Sequence, residues 1–257
     1  MTWNEKFRVM VLFLLLGTHV CPASIFKCWK CENNCATMEK MVLPNHCKWM
    51  WQKTELERSY IMLTDLVLKN RSYRGYNKSR KVTKEELMEL VDIARLCPSS
   101  ANIQPLCYYL AWEPDEVARI QEQTRWAGAI THMKLPHPGM EPPAFIVILQ
   151  DTKINDSMTR FQKDVGIVAQ TMLLAAAEKG LGGCMIGSFH AQNIREILNL
   201  DKSYVPMLVV AIGEPQEKIV LEDVEPEEST NYYRNEQDVH YVPKRKLKDI
   251  VFTAEKK

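Results

Sequence analysis

A short basic segment, Arg71-Ser-Tyr-Arg74, contains side chains spaced for ligand chemistry. Two arginines three residues apart, with the Ser72 hydroxyl between them, can direct planar N–H donors and a hydroxyl at one oxyanion. An exposed basic turn would have the same composition. The segment alone therefore leaves both an anion site and a solvated turn open.

A second polar segment, Cys97-Pro-Ser-Ser-Ala-Asn-Ile-Gln-Pro105, lies between two prolines. It is rich in small side chains that form hydrogen bonds. Asn102 and Gln104 each carry a donor and an acceptor, which suits the mixed polar edge of a heterocycle. A solvated turn is the alternative, and this segment alone does not decide between them.

The element that must position these segments is a long apolar stretch that ends at Gly180. Within 165–177 the only polar side chains are Gln170 and Thr171, so a helix here has no solvent-facing side and must be buried all round. Burial across a two-fold interface is one solution, and a plain core helix is the other. Gly180 predicts the end of the helix, and Gly182-Gly183 predicts a close backbone approach.

Other local patterns predict helices that alternate with strands. Thr83-Lys-Glu-Glu86 is a capping box, and its helix must end before Pro98. Continuous apolar runs at 144–150 and 207–213 predict buried strands. We also predict helices at 63–70, from 114 and at 193–200, a strand at 108–112, and irregular segments at 124–143 and 225–230. The fold class is therefore α/β or α+β.

Composition excludes several classes of protein. Lysine plus arginine (33) nearly balances aspartate plus glutamate (32), so we expect neither a nucleic acid nor an anionic membrane as partner. The sequence lacks a nucleophile elbow and the glycine-rich phosphate loop of dinucleotide-binding folds. No pairing of a nucleophile with a base is apparent either.

The first 61 residues differ in composition from the rest. Basic residues precede the apolar run 9–16, and small residues follow it, which is typical of a signal peptide. A second interpretation, which we favour, is that residues 1–61 are upstream sequence and the protein starts at Met62. The third is a small cysteine module. It would use Cys28, Cys31, Cys35 and Cys47, but the second half lacks the spacing of a zinc site, so we predict no metal.

Five motifs occur in the order and spacing of the FMN-dependent nitroreductase family. They are Arg71-Ser-x-Arg74, Pro98-Ser-Ser-x-Asn-x-Gln-Pro105, Asp164-x-Gly166 opening an apolar helix, Gly180-Leu-Gly-Gly183 and Pro243-Lys-Arg245. From about Met62 to the C-terminus, the chain resembles that family. The resemblance implies an FMN-binding domain at 62–257 with a three-layer α+β fold, in which a central mixed sheet is flanked by helices. It also implies an obligate homodimer, with the helix after Asp164 at the interface.

The resemblance assigns one FMN per subunit to a groove contacted by both chains. Phosphate and ribityl contacts fall on Arg71, Ser72, Arg74, Lys244 and Arg245. Contacts with the isoalloxazine ring fall on Pro98, Ser99, Ser100, Asn102 and Gln104. The resemblance also places the backbone of four residues beside the reactive nitrogen of the ring: Met185, Ile186, Gly187 and Ser188. Many relatives carry Glu-Gly where this chain has Gly187-Ser188, which leaves the choice between NADH and NADPH open.

The implied activity is an NAD(P)H oxidoreductase whose flavin does the chemistry, with no catalytic amino acid. NAD(P)H would pass a hydride to flavin N5, and a nitroaromatic, quinone or other conjugated small molecule would then take its place, which predicts ping-pong kinetics. Reductive dehalogenation, flavin cleavage and a low-turnover flavin sensor or scaffold are alternatives. A cytoplasmic location is expected. The alternative is a membrane-tethered or exported form that uses residues 1–23.

Overall fold

The computed structural model describes residues 62–254 of the 257-residue chain. The interpretations given for residues 1–61, including the signal-like run and the four cysteines, lie outside the described residues.

The described chain alternates helices and strands, as the sequence patterns predict. The helices are α1 (Leu63–Lys69), α2 (Lys84–Ala94), α3 (Pro114–Glu122), α4 (Gln162–Glu178), α5 (Ala191–Ile197) and α6 (Leu247–Ile250). The strands are β1 (Leu106–Ala111), β2 (Ala144–Asp151), β3 (Gly182–Ile186), β4 (Tyr204–Gly213), β5 (Ile219–Val224), β6 (Tyr233–Arg234) and β7 (His240–Arg245). A 3-10 turn occupies Ser100–Asn102.

The main sheet has the order β1-β2-β4-β3, and each neighbouring pair of strands is antiparallel. A parallel bridge between Ser72 and Gly183 lies on β3, so the sheet has mixed direction. Residues 144–150 of β2 are buried throughout, because both faces of the strand are covered. The predicted strands and the α+β class are confirmed.

Helices cover both faces of this sheet and complete three layers. On one face, side chains of α2 and α4 pack with Ile146, Ile148 and Val210. On the other face, residues of α3 and α5 pack with Phe145 and Val147. Alternate residues of β2 therefore belong to separate cores, as the two-residue period of a strand requires.

Local signals fix the ends of two helices as expected. The Thr83 hydroxyl accepts from Glu86 N at 3.2 Å, and the Glu86 carboxylate accepts from Thr83 N at 3.0 Å, so the predicted capping box starts α2. At the end of α4, Gly180 has φ +74° and donates to Ala177 O, while Leu181 donates to Ala176 O. These bonds form a Schellman motif, which needs a left-handed residue where Gly180 lies.

Helix α4 is buried less completely than its composition predicts. Met172 and Ala176 are fully buried, but Gly166, Ile167 and Gln170 are exposed, with Ile167 at 40%. A plain core helix, the alternative that buries every side within one chain, is therefore wrong, and burial of the remaining side across a two-fold interface stays a prediction. The exposed strip follows the spacing of one helix face.

Two strands form where the sequence analysis predicted no regular element. Met185 and Ile186 lie within β3, paired with β4. Lys244 and Arg245 lie within β7, which is parallel to β5 and antiparallel to β6 in a separate three-stranded sheet. Both strands depend on partners distant in sequence, so neither had a local signal.

Two glycines of β3 allow the close approach that the sequence predicts. A Cβ on Gly183 would lie 2.1 Å from Ala211 O and 2.6 Å from a Leu173 methyl, so this glycine lets β3 pack against β4 and α4. A Cβ on Gly182 would lie 2.6 Å from the Tyr73 ring. Because Tyr73 belongs to the Arg71–Arg74 segment, Gly182 lets that segment pack against β3.

Among residues 62–254, the helices are too short or too polar to cross a bilayer.

Replacing Gly183 with alanine should destabilise the fold by about 3 kcal/mol or more, because the new methyl group overlaps a backbone carbonyl that cannot move freely. Gly128→Ala is the matched control, since a Cβ there meets nothing within 4 Å. Urea unfolding of both variants measures the difference. Equal stabilities would contradict the close packing at β3.

Candidate functional site

The basic segment 71–74, called here the basic arm, lies along the edge of β3. Ser72 bridges to Gly183, and Tyr73 N donates to Gly183 O at 3.0 Å. The Tyr73 hydroxyl donates to Lys69 O at 2.7 Å, which ties the arm to the end of α1. The arm is therefore held by backbone pairing.

The two arginines of the basic arm lack acidic partners. Within residues 62–254, neither the Arg71 nor the Arg74 guanidinium forms an ion pair. Arg71 donates from Nη2 to Val67 O, while its buried Nε has no hydrogen-bond partner in that range. A buried donor without a partner is costly, so this group suits an anionic ligand.

Arg74 is positioned by residues in and next to the three-stranded sheet β5-β7-β6, called here the small sheet. Its guanidinium lies 4.9 Å from the centre of the Tyr232 ring, and Nη1 lies 3.4 Å from His240 Nε2. Its main-chain N donates to the Glu217 carboxylate. Burial, followed by the charges of Arg74 and Arg234, lowers the pKa of His240 to about 4. His240 is therefore neutral near pH 7 and can accept from Arg74.

The serine loop, residues 98–104, is held by one buried carboxylate. Ser99 Oγ donates to Asp164 Oδ2 at 2.7 Å, and Ser100 N donates to the same oxygen at 2.8 Å. Gln104 N donates to Ser99 Oγ at 3.1 Å, which closes the loop. Asp164 is only 4% exposed, although it begins the otherwise apolar part of α4.

The same loop has an unusual backbone. Ala101, Asn102 and Gln104 have φ values of 51°, 55° and 55°. These values lie in the left-handed backbone region, which residues other than glycine seldom occupy. The Asn102 and Gln104 side chains are exposed, and Gln104 Nε2 donates to Asn102 O at 3.2 Å. Strain of this kind persists where surrounding contacts over-determine the backbone, as the Asp164 bonds do here.

Two pockets adjoin the predicted site residues. A pocket of about 610 Å³ has Pro98, Ser99 and Ser100 on one side and the beginning of α4 on the other. A second pocket of about 440 Å³ is formed by residues of 121–126 and 133–135. The second pocket is tied to the end of β3, because Arg125 N donates to Ser188 O at 2.8 Å. The irregular segment 124–143 thus begins beside Ser188.

The remaining predicted residues lie at strand ends. Gly187 and Ser188 follow β3 and are exposed, with open space around Gly187. Lys244 and Arg245 are exposed at the end of β7, and Arg245 donates to Asp249 O at 2.8 Å. Within one chain, the basic arm reaches β7 at His240, four residues before Lys244. Convergence of all these cations on one phosphate stays a prediction.

Sequence reasoning missed the supporting role of three residues. Asp164 was named only as part of a motif, although its role had a usable signal, because a carboxylate in an apolar helix must be bonded or exposed. Glu217 and Arg234 form a buried ion pair, but they are 17 residues apart, with Glu217 before β5 and Arg234 in β6. No local pattern indicates such a pair.

Cys97 and Cys107, which flank the serine loop, have the contacts of packed thiols. Cys97 Sγ donates to Thr171 Oγ1 at 3.2 Å. Burial, with a smaller effect of Asp151, raises the pKa of Cys107 to about 11. A thiol with so high a pKa is a poor nucleophile near neutral pH.

The three-layer α+β architecture matches that of known proteins. The nitroreductase family model matches residues 67–214, so the chain belongs to the nitroreductase family, as its motifs predict. A relative from Bacillus subtilis, named "Putative NAD(P)H nitroreductase YdgI", is 26% identical over 178 residues, which are 56% of this chain and 83% of that one.

Two solved structures share the fold. A protein from Exiguobacterium sibiricum 255-15, described as a "putative nitroreductase in complex with FMN", is 19% identical, with a TM-score of 0.53 over 62% of this chain and 91% of that one. An FMN-dependent nitroreductase from Clostridium difficile R20291 is 23% identical, with a TM-score of 0.50 over 74% of this chain and 97% of that one. The predicted fold and family are thereby confirmed.

Asp164→Ala should destabilise the protein by about 2 kcal/mol, because Ser99 Oγ and Ser100 N lose a charged acceptor. Amide exchange at Ser100 should accelerate. The exposed Asp156→Ala serves as the control in urea unfolding and in hydrogen exchange. An unchanged exchange rate at Ser100 would mean that the carboxylate does not hold the loop.

The neutral state of His240 predicts a pH dependence of stability. The unfolded ring takes up a proton near pH 6.5, but the folded ring does so only near pH 4, so the stability contribution of His240 is highest above pH 6.5. It should fall by on the order of 2–3 kcal/mol as the pH drops through this window. Urea unfolding of the wild type and His240→Gln isolates the effect, since the variant lacks this loss. Parallel pH profiles would contradict the assignment.

Proposed function

We propose that this protein is an FMN-dependent NAD(P)H oxidoreductase that reduces nitroaromatics, quinones or similar conjugated acceptors. One observation carries the proposal: the basic arm holds two arginines without ion-pair partners in residues 62–254, and one of them has a buried Nε without a hydrogen bond. That arrangement fits a phosphate dianion. One protein of similar fold is in complex with FMN, and one relative is named as an NAD(P)H nitroreductase. Both support the same cofactor and electron donor for this chain.

The chain offers suitable groups for each part of FMN. Arg71, Ser72 and Arg74 would bind the phosphate and ribityl chain, with Lys244 and Arg245 completing the phosphate site. The exposed side chains of Asn102 and Gln104 provide donors and acceptors for the polar edge of the ring. When bound, FMN would supply hydride transfer between donor and acceptor. The residues of the chain bind, orient and shield; none is needed as a nucleophile.

A homodimer is part of the proposal, and exposed apolar side chains support it. Ile167 on α4, Leu63 on α1, and Leu247 and Phe252 near the C-terminus are exposed by 40%, 66%, 74% and 84%. Burying such groups against a second copy would remove apolar area from water. It would also cover the exposed strip of α4 and bring the serine loop of one chain toward the basic arm of the other.

The acceptor pocket is proposed to include the segment 124–143. This segment adjoins Ser188, and Trp126 and Met133 give the 440 Å³ pocket an aromatic and a flexible apolar wall. Flat conjugated acceptors suit such walls. Because donor and acceptor would use the same space beside the ring, we expect ping-pong kinetics.

The absorbance spectrum and native mass of the purified protein test the proposal together. We expect bound FMN, a dimer, and steady NAD(P)H consumption with a nitroaromatic. Arg71→Gln should weaken FMN binding about 10- to 100-fold, because one charge-assisted contact with the phosphate is lost. Riboflavin, which lacks the phosphate, should bind the wild type and the variant alike.

Arg95→Gln is the matched control for this variant, since Arg95 is exposed and pairs only locally with Asp92. A colourless monomer that does not take up added FMN would refute the cofactor and the dimer. Bound FMN without NAD(P)H consumption would instead leave a flavin-binding protein of low turnover and reject the reductase.

A further inference from the structure

Residues 216–218, called here the wedge, lie between the basic arm and the small sheet. On one side, Gln216 N donates to Gly75 O at 3.0 Å. On the other side, Lys218 O accepts from His240 N at 2.9 Å. Glu217, at the centre of the wedge, therefore contacts both the arm and the sheet that supports it.

The Glu217 side chain joins two elements through its two oxygens. One oxygen accepts from Arg74 N in the basic arm, and the other pairs with Arg234 Nη2 in β6. The Glu217 and Arg234 side chains are only 3% and 1% exposed. A Cβ on Gly75, the residue that follows the arm, would lie 2.9 Å from Glu217 Cγ, so the chain at the end of the arm also contacts the wedge.

Stability alone is a weak reason for such a pair. Desolvation of two buried charges offsets much of their attraction, and apolar replacements are often neutral or stabilising. A buried ion pair can instead fix one geometry out of several. Here the geometry that it fixes is the backbone of Arg74.

The charges of the cluster leave Arg74 available for an anion. Arg234 pairs with Glu217 and also with Asp238, from Nη1 at 2.8 Å, so its charge is compensated. Glu217 contacts the main-chain N of Arg74, and no carboxylate in residues 62–254 pairs with the Arg74 guanidinium. The guanidinium is oriented instead by Ser72 O, to which Nη1 donates at 3.1 Å, by the Tyr232 ring and by His240. The arm is thus fixed through its backbone while its cation stays unpaired.

We propose that the buried Glu217–Arg234 ion pair is a positioning element that holds the basic arm in the geometry that selects a phosphorylated flavin over an unphosphorylated one. This inference rests on the proposed function, since it assigns the arm to the FMN phosphate. Glu217 and Arg234 touch neither flavin nor acceptor; they act through Arg74.

The test compares affinities for FMN and riboflavin in the full-length dimer freed of flavin. Glu217→Met with Arg234→Met removes both buried charges and keeps similar volumes. Its FMN dissociation constant should rise about tenfold, the size expected for losing one bond to a charged group, while that of riboflavin changes less than about twofold. Glu217→Gln keeps an acceptor oxygen for Arg74 N. This variant should therefore reduce the preference for FMN over riboflavin only about threefold.

Loss of general stability would weaken both flavins equally, so the ratio of the two constants separates positioning from folding. The control Asp92→Asn with Arg95→Gln removes an exposed ion pair and should leave the ratio unchanged. Should the double methionine variant fail to fold, Glu217→Gln decides alone. A wild-type ratio retained in the folded variants overturns this inference and leaves the proposed function intact. A wild type that does not prefer FMN overturns the phosphate site itself.

Discussion

The contact between the basic arm and β3 is the constraint on which the candidate site depends. Ser72 and Tyr73 reach the backbone of Gly183 because Gly182 leaves room for the Tyr73 ring, while the missing side chain of Gly183 lets β3 lie close to Ala211 O in β4. That strand ends at Ile186, and Gly187-Ser188 follow directly. One strand edge therefore sets the distance between the basic arm, proposed to bind the phosphate, and the backbone proposed to lie beside the flavin ring.

Charge supplies the second level of organisation. The fold compensates the cation that needs no ligand, Arg234, with two carboxylates, and it leaves Arg71 and Arg74 without acidic partners among the described residues. The carboxylate of Asp164 likewise accepts hydrogen bonds from the serine loop. Negative charge is thus bound internally beside the proposed flavin site, which favours an anionic ligand.

Sequence predicted those parts of the fold whose causes are local. The capping box at Thr83, the helix end at Gly180 and the apolar run of β2 each depend on neighbouring residues, and each is confirmed. Strands β3 and β7 escaped prediction, because their stability comes from partners far along the chain. The family motifs identified the basic arm, but only three-dimensional packing reveals the wedge that holds it.

The exposed strip of α4 links burial to function. Helix α4 contains more apolar residues than a helix with a solvent-facing side needs. In a single chain, Ile167 lies at the surface beside the pocket that Ser99 and Ser100 line. In a dimer, the same strip would form the interface and the wall of that pocket. A protein that completes its pocket only on pairing ties cofactor retention to association, because each event stabilises the other by mass action. Flavin content should then fall upon dilution below the dimer dissociation constant, and added FMN should shift the native mass back toward the dimer.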